Sequence, residues 1–188
     1  MRQLFFCTLM LAGLLGCGSG ATESLRVSPQ PPVVRVEEKL HLRAEALEDL
    51  ATEPQWEIQE LHGGALLRSQ GLESTYVAPP MAGTYHLVLR AQRADGKRVK
   101  QSLELTVLPQ LSVEPSRITL APGARATFEL RAKGLPKGPC TWVVEEPEGG
   151  TVTKEGVYTA PAQPGTYHLT ASPVAGPGGS ATATLIVR

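Results

Sequence analysis

The chain has 188 residues with 18 basic and 18 acidic side chains, and the charges are evenly spread: residues 21–108 hold 10 basic and 12 acidic groups, residues 109–188 hold 7 and 6. With no basic stripe to offset phosphate charge, neither nucleic-acid binding nor a polybasic membrane patch is expected. Nineteen glycines, 16 prolines, 5% aromatics and short Val/Thr/Leu runs between turn residues describe an all-β chain rather than one of long helices.

The first segment opens with Arg2, continues as an apolar stretch from Leu4 to Leu15 and ends in Leu14-Leu15-Gly16-Cys17. A charged start, a short apolar core and small residues at a cut describe an export signal over residues 1–16, too short to span a bilayer. Leu14-Leu15-Gly16-Cys17 also resembles the bacterial lipobox. That resemblance implies cleavage before Cys17 and acylation, palmitate included, of its thiol and new amino terminus. Cys17 is thus the expected lipidation site, and residues 17–24, rich in Gly and Ser, the flexible tether. Gly18, rather than an acidic residue, follows the cysteine, which by the same resemblance favours the outer membrane. The alternative is an ordinary secretory signal cut near Gly18-Ser19-Gly20-Ala21, with Cys17 incidental.

Beyond the tether the chain repeats itself. Leu25-Arg26-Val27-Ser28-Pro29 returns as Leu111-Ser112-Val113-Glu114-Pro115, and Trp56 and Gly63-Gly64 return as Trp142 and Gly149-Gly150, all at an offset of 86. Tyr76-Val77-Ala78-Pro79 and Gly83-Thr84-Tyr85-His86-Leu87 return as Tyr158-Thr159-Ala160-Pro161 and Gly165-Thr166-Tyr167-His168-Leu169 at an offset of 82. The first copy therefore holds four extra residues between Gly64 and Tyr76. Units 25–108 and 109–188 each have room for about seven short strands.

Alternation marks the strands. Leu40, Leu42 and Ala44 in the first copy, and Ala126, Phe128, Leu130 and Ala132 in the second, are interleaved with polar residues. The same parity turns Trp56, Ile58, Tyr85, Leu87, Leu89, Leu103, Leu105 and Val107 inward. This pattern is that of an immunoglobulin-like sandwich, with a core tryptophan on the third strand and a corner tyrosine at Tyr85 and Tyr167. Leu42 with Leu87, and Phe128 with Leu169, stand where such domains place their paired cysteines. If Cys17 is acylated, Cys140 has no partner within the chain, so the cores must hold without a disulfide.

Gly156-Val157-Tyr158-Thr159-Ala160-Pro161, followed by Gly165-Thr166-Tyr167, resembles the bacterial Ig-like domains found in tandem in cell-surface and periplasmic proteins. The resemblance implies fold over residues 24–188 but names no ligand, since such domains serve as spacers, adhesion modules and enzyme accessories. The two copies are joined only by Leu108-Pro109-Gln110-Leu111, which predicts limited bending.

No catalytic constellation stands out. His86 and His168 share one repeat position and point outward, as tolerated surface residues. His41 faces outward on the opposite sheet, His62 sits in a turn, and no two histidines have zinc spacing. The acidic run Glu145-Glu146-Pro147-Glu148 could hold calcium, but reads as a solvated turn, with no acids expected at the joint. Cys140, with the parity of Trp142, is expected inward and inert, or else paired between molecules. Pro29, Pro31, Pro32 and Pro115 read as protection of the first strands' edges. The expectation is a non-enzymatic lipid-anchored envelope protein without cofactor or metal, serving as a structural, spacer or adhesion module with envelope or cell-surface protein partners. A carbohydrate- or peptide-binding lipoprotein using loops at one sandwich end is the alternative.

Overall fold

The computed structural model describes residues 25–46 and 49–188. All regular structure there is β. In the first copy, β1 (Leu25–Ser28), β2 (Val33–Arg35), β3 (Lys39–Ala46), β4 (Gln55–Ile58), β5 (Ala65–Leu66), β6 (Glu73–Val77), β7 (Gly83–Gln92) and β8 (Arg98–Leu108) form two sheets, ordered β1-β3-β6-β5 and β2-β8-β7-β4. In the second, β9 (Gln110–Glu114), β10 (Arg117–Leu120), β11 (Arg125–Thr127), β12 (Glu129–Lys133), β13 (Cys140–Val144), β14 (Thr151–Val152), β15 (Val157–Thr159), β16 (Gly165–Pro173) and β17 (Ala181–Val187) repeat the plan. One sheet is β10-β17-β16-β13; the other is interrupted at Phe128, leaving β12-β9 beside β11-β15-β14. Each copy is an immunoglobulin-like β-sandwich.

The first strand of each sandwich changes sheets part-way. β1 pairs antiparallel with β3, and β2, only a few residues on, runs parallel to β8; β9 with β12 and β10 with β17 do the same. The prolines fall at that crossing. Pro29, Pro31 and Pro32 lie between β1 and β2, and Pro115 lies between β9 and β10, with cis bonds before Pro29, Pro31 and Pro115. They therefore end one ladder before the next begins, a role for a residue without an N–H, instead of shielding the strands' edges as expected.

Parity placed the cores well. Leu42 and Leu87, and Phe128 and Leu169, are all buried where a disulfide would cross the sheets. A buried apolar side chain contributes about 1.5–3 kcal/mol, and a cross-link typically about 2–4 kcal/mol, so an apolar pair at this post is of comparable worth. Both expected corners form: the Tyr85 hydroxyl donates to the Met81 carbonyl at 2.9 Å and that of Tyr167 to the Gln163 carbonyl at 3.0 Å.

The largest fully buried side chains are Tyr76 and Tyr158, both 0% exposed. Each reaches across the core to the turn after β4 or β13, donating at 2.5 Å to the carbonyl of Gly63 or Gly149. Burial pushes the Tyr158 hydroxyl up to about 12 and that of Tyr76 higher still, so both stay protonated donors. The following glycines have positive φ, +101° at Gly64 and +95° at Gly150, and a Cβ on either would collide with the carbonyl of Val77 or Thr159. The repeated Gly-Gly pair is thus the seat of the buried tyrosine.

The two tryptophans differ. Trp56 is 3% exposed and its indole N–H donates to the Gly71 carbonyl at 2.9 Å, whereas Trp142 is only partly buried against its core. Gly71 belongs to the longer loop of the first copy. That loop also lies along β4: the Trp56 amide donates to Ser69, the Gly71 amide to Pro54, and Gln55 bridges Gln70. The four extra residues therefore make a strap over the first sandwich's open edge, and the second has none.

Candidate interaction surfaces

Four surfaces carry polar groups in defined geometry. The first is the joint. The Ala82 amide donates to the Gly134 carbonyl at 2.8 Å, and Lys133 Nζ lies 2.6 Å from Glu37 Oε2. Gly134, at φ +96°, packs so closely on Val36 that a Cβ there would sit 2.5 Å from Val36 Cγ1. Besides the short peptide link, a main-chain hydrogen bond, an ion pair and an apolar contact among the described residues thus join the sandwiches. The expectation of a joint without acids is corrected: Glu37 stands there, brought in by the β2–β3 turn rather than by the linker, and is neutralised by Lys133.

The second feature is a pair of matching clamps. The carboxylate of Glu60 accepts the His86 amide at 2.9 Å and faces His86 Nδ1 at 2.6 Å. Glu146 repeats both contacts with His168 at 2.8 and 2.6 Å. An ionised carboxylate only accepts, so the Nδ1 atoms carry the hydrogens. Burial acts to raise both carboxyls, but the hydrogen bonds from His86 and His168 outweigh it and hold Glu60 and Glu146 below their usual range. The histidines point outward as expected, yet they are not merely tolerated. They tie the turn after β4 to β7 and the turn after β13 to β16, and Glu146 is committed to this clamp rather than to a calcium loop.

The third is the outer face of β1, β3 and β6, where a shallow groove is lined by Arg26, Arg43, Arg68, Glu45 and Glu73. Strand register sets Arg26 opposite Glu45 and Arg43 opposite Glu73, two pairs of opposite charge beside Arg68. His41 Nδ1 lies 3.0 Å from Thr75 Oγ1 on the same face. The groove lies on a sheet and not at a sandwich end, and the described residues place no nucleophile beside a base within it.

The fourth is β13 with Cys140. Its thiol is free and only partly buried, because it opens the strand at the sandwich rim, where parity predicts direction but not depth. His62 is exposed in its turn. Among the described residues no three His, Cys, Asp or Glu side chains gather to hold a metal ion. Cys17 lies outside the described residues.

No family model matches the sequence, and no curated protein matches it. Solved structures do share the fold. Over 86% of this chain and 62% of that one, it superposes on the C-terminal 282-residue fragment of intimin, solved with the intimin-binding domain of its translocated receptor, at a TM-score of 0.52 and 12% identity. The insect immune protein hemolin matches at 18% identity over 86% of this chain and 46% of that one, TM-score 0.40. The fibronectin(III)-like modules of Clostridium thermocellum CbhA match at 11% identity over 87% and 94%, TM-score 0.33. The chain spans about three-fifths of the intimin fragment, and at these identities the likeness is one of fold.

Proposed function

We propose that this chain is a non-enzymatic, lipid-anchored protein of the bacterial cell envelope that holds or presents a protein-binding surface through two bacterial Ig-like domains. Residues 1–16 are the export signal, Cys17 carries the acyl chains at the outer membrane, residues 17–24 are the tether, and units 25–108 and 109–188 form the exported body. The observation that carries the spacer reading is the bridged joint: Ala82–Gly134, Glu37–Lys133 and the Val36–Gly134 contact restrain the two sandwiches, as a module that sets distance requires. The superposition on intimin, whose fragment was solved with a receptor domain, supports a protein as the kind of partner. Multiple acyl chains give stable anchoring at about 0.8 kcal/mol per buried methylene.

Metabolic labelling with palmitate and membrane fractionation test the anchor. The native chain should be labelled and sediment with the outer membrane, and Cys17→Ser should be unlabelled and leave the membrane fraction. An unlabelled native chain, or a Cys17→Ser protein retained in the membrane, would refute it.

A further inference from the structure

Strand β13 ends its sheet, with β16 on one side and no strand or bridge of the described residues on the other. The Glu145 amide donates to the His168 carbonyl at 2.9 Å and the Val174 amide to the Pro139 carbonyl at 3.1 Å, so odd-numbered positions along this strand face β16. Alternation then turns the main-chain N–H and C=O of Cys140, Trp142 and Val144 outward. The equivalent groups of the first sandwich are covered, since the Trp56 amide donates to Ser69 in the strap at 2.8 Å. Nor does the sequence blunt the open edge. Cys-Thr-Trp-Val-Val carries no charge and no proline, and Val143 is 56% exposed, whereas an unpaired edge is ordinarily guarded by one of these devices.

We propose that this edge pairs with the same edge of a second copy, antiparallel about Trp142, to form a two-fold dimer whose four-stranded sheets join into one. With the axis at Trp142, Cys140 faces Val144 of the second copy and Trp142 faces its own counterpart. Every outward-turned residue thereby meets another, and the three N–H groups of each copy find three carbonyls of the other. A slip of one residue would set outward groups against inward ones. Antiparallel pairing also brings the segment before the strand, with the exposed Lys137, towards the turn after the strand of the second copy, with the exposed Glu145 and Glu148. By symmetry this meeting of opposite charges occurs twice. The acidic run and the lysine flank the strand at opposite ends, an arrangement that complements itself only in antiparallel pairing. An extended segment of another protein would use the main-chain groups but not this charge match.

In the full chain carrying Cys140→Ser, Thr141→Cys and Val143→Cys place thiols on the outer face. There residue 141 of one copy opposes residue 143 of the other at a non-hydrogen-bonded site, with Cα atoms about 4.5 Å apart, which suits a disulfide. Mild oxidation in cells should give a homodimer on non-reducing gels, at least tenfold above Cys140→Ser alone. A monomer, or cross-links only to another protein, would overturn the proposal. Sedimentation of the purified full chain supplies a second readout. Val143→Lys changes an exposed side chain, keeps the native melting transition and should weaken self-association at least tenfold. Equal association in the two proteins, or monomers in both up to about 100 µM, would overturn it as well.

Discussion

Replacing Gly134 by alanine should undock the two sandwiches while leaving each folded. At φ +96° an alanine meets the left-handed penalty of about 1–2 kcal/mol. Its Cβ would also sit 2.5 Å from Val36 Cγ1, and Val36 is fully buried, so relief comes most readily by parting the joint. Parting costs the Ala82–Gly134 hydrogen bond in the native chain and the variant alike, so that cost cancels from the comparison. The left-handed penalty alone favours the undocked form by about 1–2 kcal/mol, or roughly 5- to 30-fold at 1.4 kcal/mol per factor of ten. Amide hydrogen exchange reads this directly, because the Ala82 N–H donates across the joint: its protection should fall by that factor, while amides of β7 and β16 stay protected. An unchanged Ala82 rate in a folded Gly134→Ala protein would refute the reasoning, and Lys133→Ala, which leaves the backbone alone, should lower protection only a few-fold.

Tyr158→Phe leaves the Gly149 carbonyl without its buried donor and should destabilise the second sandwich by about 1–3 kcal/mol in urea unfolding followed by circular dichroism; Tyr76→Phe should do the same to the first. In the folded protein the carboxyls of Glu60 and Glu146 titrate below the ordinary glutamate range, about 4.3 to 4.5. Their clamps therefore contribute fully above about pH 4.5 and are lost as the pH falls through the lower folded values; the urea midpoint should drop there, and less steeply in a Glu60→Gln/Glu146→Gln protein. Cys140, partly buried at the strand's first position, should react with maleimide more slowly than in the urea-unfolded chain but without global unfolding, seen as a rate independent of subdenaturing urea.

What the sequence revealed depended on whether a property repeats every second residue. Alternation turned Leu42, Leu87, Phe128 and Leu169 inward correctly, and the tyrosine corners followed from their place two residues before the core leucines. The same rule, continued through Ser74, Tyr76 and Ala78, would have put Tyr76 and Tyr158 at the centre. Their tie to Gly63 and Gly149 was foreshadowed by the repeat of the Gly-Gly pair. The His–Glu clamps were also visible in principle, since Glu60 and His86 recur as Glu146 and His168. Neither partner alone signals the pairing, because a contact between strands distant in sequence leaves no local period. The joint was least legible of all. Glu37, Ala82 and Gly134 lie in turns of three different connections, and only the folded chain brings them together.

The strap makes one further step possible. Two copies with open edges could pair first with second as well as like with like, and a head-to-tail contact between different surfaces extends without closing. Covering β4 with Ser69 and Gly71 removes that strand from such pairing and leaves β13 to pair with its like. Among the described residues no loop carbonyl accepts the Trp142 indole N–H as Gly71 accepts that of Trp56. The four residues that separate the two repeats in length thus separate them in role: the first sandwich is closed and docks through its joint, and the second is left with a strand to share.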